Sequence, residues 1–209
     1  MKHLSSPGGP ARLVDRAGTA PTVHDRAVEP ESVRTLTTIT AAVVAALPGA
    51  AYAGLARTRK RGHVAAQAPT HPIVQVLDDL QTALRQGPCV ARMREQRVVH
   101  IADMSTDARW PDFAACAAQL GVGSMLSLQL FVGNEVVGTL NLYSPNREAF
   151  TGDDETLANV FANQAAIALH GVGAGDDRVA TSTPRTRPPR WQGLVSRYRR
   201  EPGAHRLKP

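Results

Sequence analysis

Residues 124–144 alternate apolar and polar side chains through two runs, SMLSLQLFV at 124–132 and VVGTLNLYS at 136–144, parted by Gly133-Asn134-Glu135. A period of two on both sides of a Gly-Asn turn predicts a β-hairpin. A three-residue loop pairs Val132 with Val136, Leu130 with Gly138, Leu128 with Leu140 and Leu126 with Leu142. A two-residue Gly-Asn loop shifts every pair by one, setting Leu128 against Thr139 and Leu126 against Asn141. A slip of one residue exchanges the faces of a strand, so the longer loop, which gathers the leucines, is the expected one. Glu135 then takes a loop position that usually wants glycine. The hairpin so built has two unlike faces. One carries Leu126, Leu128, Leu130, Val132, Val136, Leu140 and Leu142 and suits helix packing. The other carries Met125, Ser127, Gln129, Phe131, Val137, Thr139, Asn141 and Tyr143, a mixture fit for the floor of a binding cavity.

Around the hairpin the period changes to three and four, which predicts helices. Residues 30–47 place Val33, Leu36, Thr40, Val43, Val44 and Leu47 on one stripe, with Pro30 and Glu31 in the first turn and Pro48-Gly49 as the stop. Residues 72–86 do the same with Ile73, Val76, Leu77, Leu80 and Leu84 before Gly87-Pro88. A short helix or turn is expected at 89–96. A helix at 112–120 carries Phe113, Cys116, Ala117 and Leu120. The last, at 153–170, opens on Thr151 and Asp154 as a capping box and on the acids Asp153, Asp154 and Glu155. Its stripe is Leu157, Val160, Phe161, Ala165 and Ala168, and Gly171 is placed to end it. Strands are expected at 50–58 and 63–68, joined by the basic turn 59–62, and at 97–102. Strands in runs, joined by tight turns, predict an α+β fold of a mainly antiparallel sheet. The terminal helices cover the leucine face, and the short helices and loops cover the mixed one.

Composition divides the chain. Residues 1–29 carry Pro, Gly and charge without periodicity and read as a disordered leader, and 173–209 as a basic, Pro- and Arg-rich disordered tail. The domain is 30–172. The whole chain of 209 residues has a net charge of +6, and residues 176–209, with nine basic and three acidic residues, account for all of it. The folded part is neutral, so its high pI is no sign of nucleic-acid binding; only weak, nonspecific phosphate binding by the tail, with Trp191 and Tyr198, is expected. Two cysteines without a CxxC or a Cys/His cluster predict no metal site. No apolar run reaches the length of a membrane span, and no secretory signal opens the chain, so a cytoplasmic protein with reduced thiols is expected.

The run LDDLQTALRQGPCV at 77–90, VVHIADMSTDARWPDFAACAAQLGVGSMLSLQLFV at 98–132 and GTLNLYSPNREAFTGDDE at 138–155 resembles GAF domains. It resembles in particular the GAF half of bacterial GAF–ANTAR antitermination regulators. The GPC, D-x-R-W-P, G-V-x-S-M-L-S and G-x-L-N-L-Y-S segments follow that pattern in order. The resemblance implies a single small α+β sensory domain that binds a small molecule on one sheet face and dimerises through terminal helices, here those at 33–47 and 153–170. An ANTAR unit would be a three-helix RNA-binding segment. Residues 172–209 lack helical periodicity, so the ANTAR part is expected to be absent and an antitermination role lost or altered.

The expected function is a non-enzymatic sensory or regulatory module in bacterial signal transduction or transcription regulation. Its candidate pocket is Cys89, Trp110, Phe113, Cys116, Met125, Ser127, Gln129, Asn141 and Tyr143. Taken singly, a Trp beside a proline or a Cys on an apolar helix face is more often a packing residue. The competing expectation is a thiol enzyme. The segment Gln86-Gly87-Pro88-Cys89-Val90 resembles the R-G-V-C-G of GAF-fold free methionine-R-sulfoxide reductases, and Cys116 lies near their second cysteine. Those enzymes hold the substrate with acidic residues on the hairpin, where this chain has Met125, Asn141 and Tyr143. Without a carboxylate in the cavity, the sensor is preferred. No cofactor is specified. The cyclic-nucleotide motif N-K-x-F-D-E does not occur, and His63, His71, His100 and His170 lie in no haem-ligating motif.

Overall fold

A computed structural model describes residues 31–58, 64–91 and 97–173, with Gly193 in addition. The leader, the basic turn at 59–62, residues 92–96 and the tail lie outside the described residues. The elements in order are α1 (Glu31–Ala46), β1 (Tyr52–Thr58), β2 (Val64–Gln67), α2 (Pro72–Leu84), β3 (Val98–Ile101), α3 (Pro111–Gln119), β4 (Ser124–Val132), β5 (Glu135–Ser144) and α4 (Gly152–Gly173). Five strands form one antiparallel sheet in the order β2-β1-β5-β4-β3, so the hairpin β4–β5 occupies its middle. The α+β architecture expected from the pattern is the one observed. Residues 88–90 form a turn, not a helix.

The hairpin resolves the choice of register in a way neither loop length alone allows. Leu126 pairs with Leu142, Leu128 with Leu140 and Leu130 with Gly138, as the leucine face requires. Nearer the tip, Phe131 pairs with Val136 and Val132 with Glu135. The turn is therefore the two-residue Gly133-Asn134, and a β-bulge beside Leu130/Phe131 inserts Val137 to restore the inner register. Gly133 has φ +60, as the first position of a type II′ turn requires, and Glu135 carries no left-handed backbone. The bulge also corrects the faces. Val137 packs on the leucine cluster, whereas Val136, expected there, is 45% exposed.

α1 and α4 cover the leucine face. Its core joins Leu36, Ile39, Val43 and Leu47 of the first helical segment to Leu126, Leu128, Leu130, Leu140 and Leu142. α4 contributes Ala158, Ala162, Ala165, Ala166 and Leu169; of the expected stripe Ala165 is buried and Phe161 and Ala168 pack against the core, whereas Leu157 and Val160 point to solvent. The preference is steric. Alanines let the helix approach the sheet closely, and the leucines of the sheet fill the space between. The Thr151–Asp154 box forms, with Thr151 N–H donating to Asp154 Oδ2 at 2.8 Å and Asp154 N–H to Thr151 Oγ1 at 3.3 Å. The helix continues through Gly171 instead of stopping before it.

Candidate ligand-binding site

The opposite face is covered by α2, α3 and the loop after α2. α2 begins at Pro72, with His71 Nδ1 accepting from the Ile73 N–H at 3.2 Å as its N-cap. Its buried side chains are Val74, Leu77, Asp78, Leu80 and Gln81, while Ile73, Val76 and Leu84 are only half-buried. The helix is rolled relative to the stripe of large apolar residues. The roll brings Asp78 and Gln81, one turn apart, into the interior.

Gly87 lets the next loop close over Gln81. It has φ +119, and a Cβ there would stand 2.4 Å from Gln81 Oε1. That approach places the Cys89 N–H on the same oxygen at 2.9 Å. The Cys89 thiol then lies against the sheet. Asn141 Nδ2 donates to Cys89 Sγ at 3.0 Å, Ser127 Oγ donates to Asn141 Oδ1 at 2.7 Å, and Thr139 Oγ1 shares a hydrogen bond with Sγ at 3.3 Å. The result is a buried polar relay from β4 through β5 to the loop and back to α2.

The relay adjoins groups left unsatisfied among the described residues. Asp78 Oδ1 and Oδ2, Gln81 Nε2 and Tyr143 Oη are buried without a hydrogen-bond partner there. Burial, and then the charge of Asp79, raises the Asp78 carboxyl well above the usual carboxylate range. Burial, and then Asp78, pushes the Cys89 thiol up to about 12, although bonds from Thr139, Asn141 and Gln81 oppose the shift. Burial, and then Asp78 and Cys89, raises the Tyr143 phenol. Asp78, Cys89 and Tyr143 thus sit in one another's field, the thiol and the phenol keep their protons at neutral pH, and the carboxyl is biased toward its protonated form.

Among the residues expected to form a pocket, Cys89, Ser127, Asn141 and Tyr143 meet in this cluster. Trp110, Phe113, Cys116 and Met125 pack beside it in an apolar cluster with Val74, Leu77, Leu80 and Tyr143. Burial, and then Asp112, also raises the Cys116 thiol. Gln129 is half-buried and is paired in the ladder with Thr139. The expectation that the mixed face lacks a carboxylate holds for the hairpin and fails for the site, because α2 supplies Asp78. Asp78 and Gln81 were hidden by their polarity; their spacing of four and seven from Val74 was the available signal.

α3 is seated by a residue distant in sequence. Gln86 Oε1 accepts from the Asp112 N–H at 2.9 Å and the Phe113 N–H at 3.3 Å, and Gln86 Nε2 donates to Asp112 Oδ2 at 2.8 Å. Trp110, the N-cap residue, offers no side-chain acceptor, so Gln86 performs the capping from the end of α2. Arg109 stacks over Trp110 at 5.0 Å, donates to the His100 carbonyl at 2.8 Å and pairs with Asp107, which fixes the preceding loop.

The family model described as "GAF domain" matches residues 31–170. The chain belongs to the GAF domain family. Among solved structures, this GAF chain is similar to a domain of a protein described as a two-component sensor histidine kinase from Sinorhizobium meliloti 1021, at 13% identity and TM-score 0.57, over 72% of this chain and 96% of that one. It is similar to the GAF domain of an Acinetobacter phosphoenolpyruvate-protein phosphotransferase, at 13% identity and TM-score 0.52, over 72% and 89%. It is also similar to the free methionine-R-sulfoxide reductase of Neisseria meningitidis, solved with its substrate, at 15% identity and TM-score 0.51, over 67% and 78%. At these identities the likeness is one of fold. No curated protein matches the chain. No described helix is long and apolar enough to cross a membrane, and among the described residues no group of three or more His, Cys, Asp or Glu is placed to hold a metal ion.

Proposed function

We propose that this GAF domain is a non-enzymatic sensory module whose small-molecule site is the polar cluster between α2, the Gly87–Cys89 loop and the hairpin. The observation that carries this reading is the set of buried polar atoms left without protein partners on one sheet face. A fold seldom leaves such groups together, since each costs about 1–3 kcal/mol, and a ligand is one way to satisfy them. The state of the thiols supports the non-enzymatic part. A nucleophilic cysteine needs a thiolate, whereas burial raises both thiols and Cys89 is committed to the relay. The test is thermal shift with nucleotides, free amino acids, small metabolites and tetrapyrroles on wild type and Asn141→Leu. At least one compound is expected to raise the Tm of the wild type alone; a flat response across the panel sinks the reading. Thiol-dependent reduction of methionine sulfoxide, lost in Cys116→Ser, would overturn the non-enzymatic part.

The output side of the proposal is self-association through α4, consistent with a role in signal transduction. Leu157, Val160 and Ile167 are exposed at 39%, 51% and 73%. Their spacing of three and seven is that of a two-helix seam, so the partner is a second copy of the same helix. Light scattering after gel filtration is expected to find a dimer, and Ile167→Glu a monomer. A wild-type monomer at high micromolar concentration would remove this part.

A further inference from the structure

The polar cluster has a definite chemical shape. Both oxygens of Asp78 lack a protein donor, and Gln81 Nε2 and Tyr143 Oη lack an acceptor. The unpaired atoms are therefore a two-oxygen acceptor fork beside two donors, all in fully buried residues. A single water donates two hydrogen bonds and accepts two, so by count alone it would also match these four atoms on three side chains, and binding of an amidine is what tells the two occupants apart. A carboxylate with both oxygens open pairs best with two parallel N–H groups on one planar carbon, the geometry of an amidinium or guanidinium. The surrounding relay is closed upon itself, since Ser127, Asn141, Cys89 and the Gln81 carbonyl oxygen already bond to one another. It offers no competing partner to Asp78.

We propose that this site binds a small ligand through a planar amidine-type group, with paired N–H donors on the two oxygens of Asp78 and a neighbouring oxygen acceptor held by Gln81 Nε2 and Tyr143 Oη. The proposal rests on the reading of the polar cluster as a ligand site and adds the class of ligand. Apolar side chains of Val74, Leu77 and Met125 lie in the adjoining cluster with Tyr143, so the body of the ligand is largely apolar.

Binding is linked to a proton. Without ligand, burial and then the charge of Asp79 bias Asp78 toward its protonated form. An amidinium selects the carboxylate, so complex formation releases that proton and tightens as the pH rises. The titratable groups facing Asp78 are Asp79 on its own helix, Cys89 on the loop and Tyr143 on β5. The thiol and the phenol remain neutral through this range, which leaves Asp78 as the group that titrates.

The test uses benzamidine and acetamidine against benzamide and acetamide, which keep the shape and replace one N–H donor by a carbonyl. Calorimetry on the full chain is expected to find binding of an amidine about tenfold or more tighter than its amide. The affinity should rise with pH above the usual carboxylate range, with an enthalpy that varies with the buffer as a released proton requires. Asp78→Asn, checked for folding by circular dichroism, should abolish the preference, and Gln81→Leu should weaken it less. Equal binding of amidine and amide, or binding unchanged in Asp78→Asn, overturns the proposal. If no amidine binds while another compound binds wild type and fails on Asn141→Leu, the ligand class is wrong and the site stands. If nothing binds at all, both readings fall together.

Discussion

A buried carboxyl that keeps its proton makes the fold less stable as pH rises. Asp78 is such a group, held above the usual carboxylate range by burial and then by Asp79. In the unfolded chain it ionises near pH 4, so from there upward the folded state binds more protons than the unfolded one. Stability is fully retained below about pH 4 and declines until the pH passes the raised folded value. Asp78→Asn removes this contribution. The variant is expected to melt above the wild type by a few degrees at neutral pH, with the difference shrinking as the pH falls toward 4, in thermal melts across that range. A constant difference at every pH would show that Asp78 ionises alike in both states. This residue was the least legible in the sequence. A pattern of large apolar residues aims α2 through Ile73, Val76 and Leu84, and an acid at position 78 reads as solvent-facing. The structure buries it because the sheet beneath offers polar residues, and that surface cannot be inferred from the helix alone.

At the scale of elements, the loop after α2 depends on its glycine. Gly87→Ala places a side chain at φ +119 and 2.4 Å from Gln81 Oε1, so either the turn or the Gln81–Cys89 bond must give way. The expected cost is about 1–3 kcal/mol, read as a lower urea midpoint with an unchanged slope. A midpoint equal to wild type would mean that the loop has another conformation in solution. The hairpin was legible in its inner half, because leucines at a period of two admit one register. Its tip was not. The tip follows the two-residue loop and the inner ladder the register of the longer one, since a bulge separates them, and Val136-Val137 carries no mark of which valine is the extra one. α4 was legible as a helix by its capping box and acids, but its buried face was misread in part. Phe161, Ala165 and Ala168 face the core as expected, but size also suggests Leu157 and Val160, where the sheet takes Ala158 and Ala162 instead.

The whole molecule is two helical layers on one sheet, with unlike duties. Leucines join α1 and α4 to one face and make that half a continuous apolar core. The other half is divided between an apolar cluster under α3 and the polar relay under α2. Because Gln86 caps α3 from the end of α2, the two covering helices are bonded into one piece beside the relay. Both layers follow from the alternation of the central hairpin, which is why the architecture could be read early and the site chemistry only in part. The bulge at Val137 has a practical consequence. It lets the ladder hold its register independently of the turn, and a side chain added at Gly133 would meet no described residue within 4 Å beyond its chain neighbours. A peptide tag or fluorescent reporter inserted between Gly133 and Asn134 therefore leaves the leucine ladder, and the relay beyond it, undisturbed.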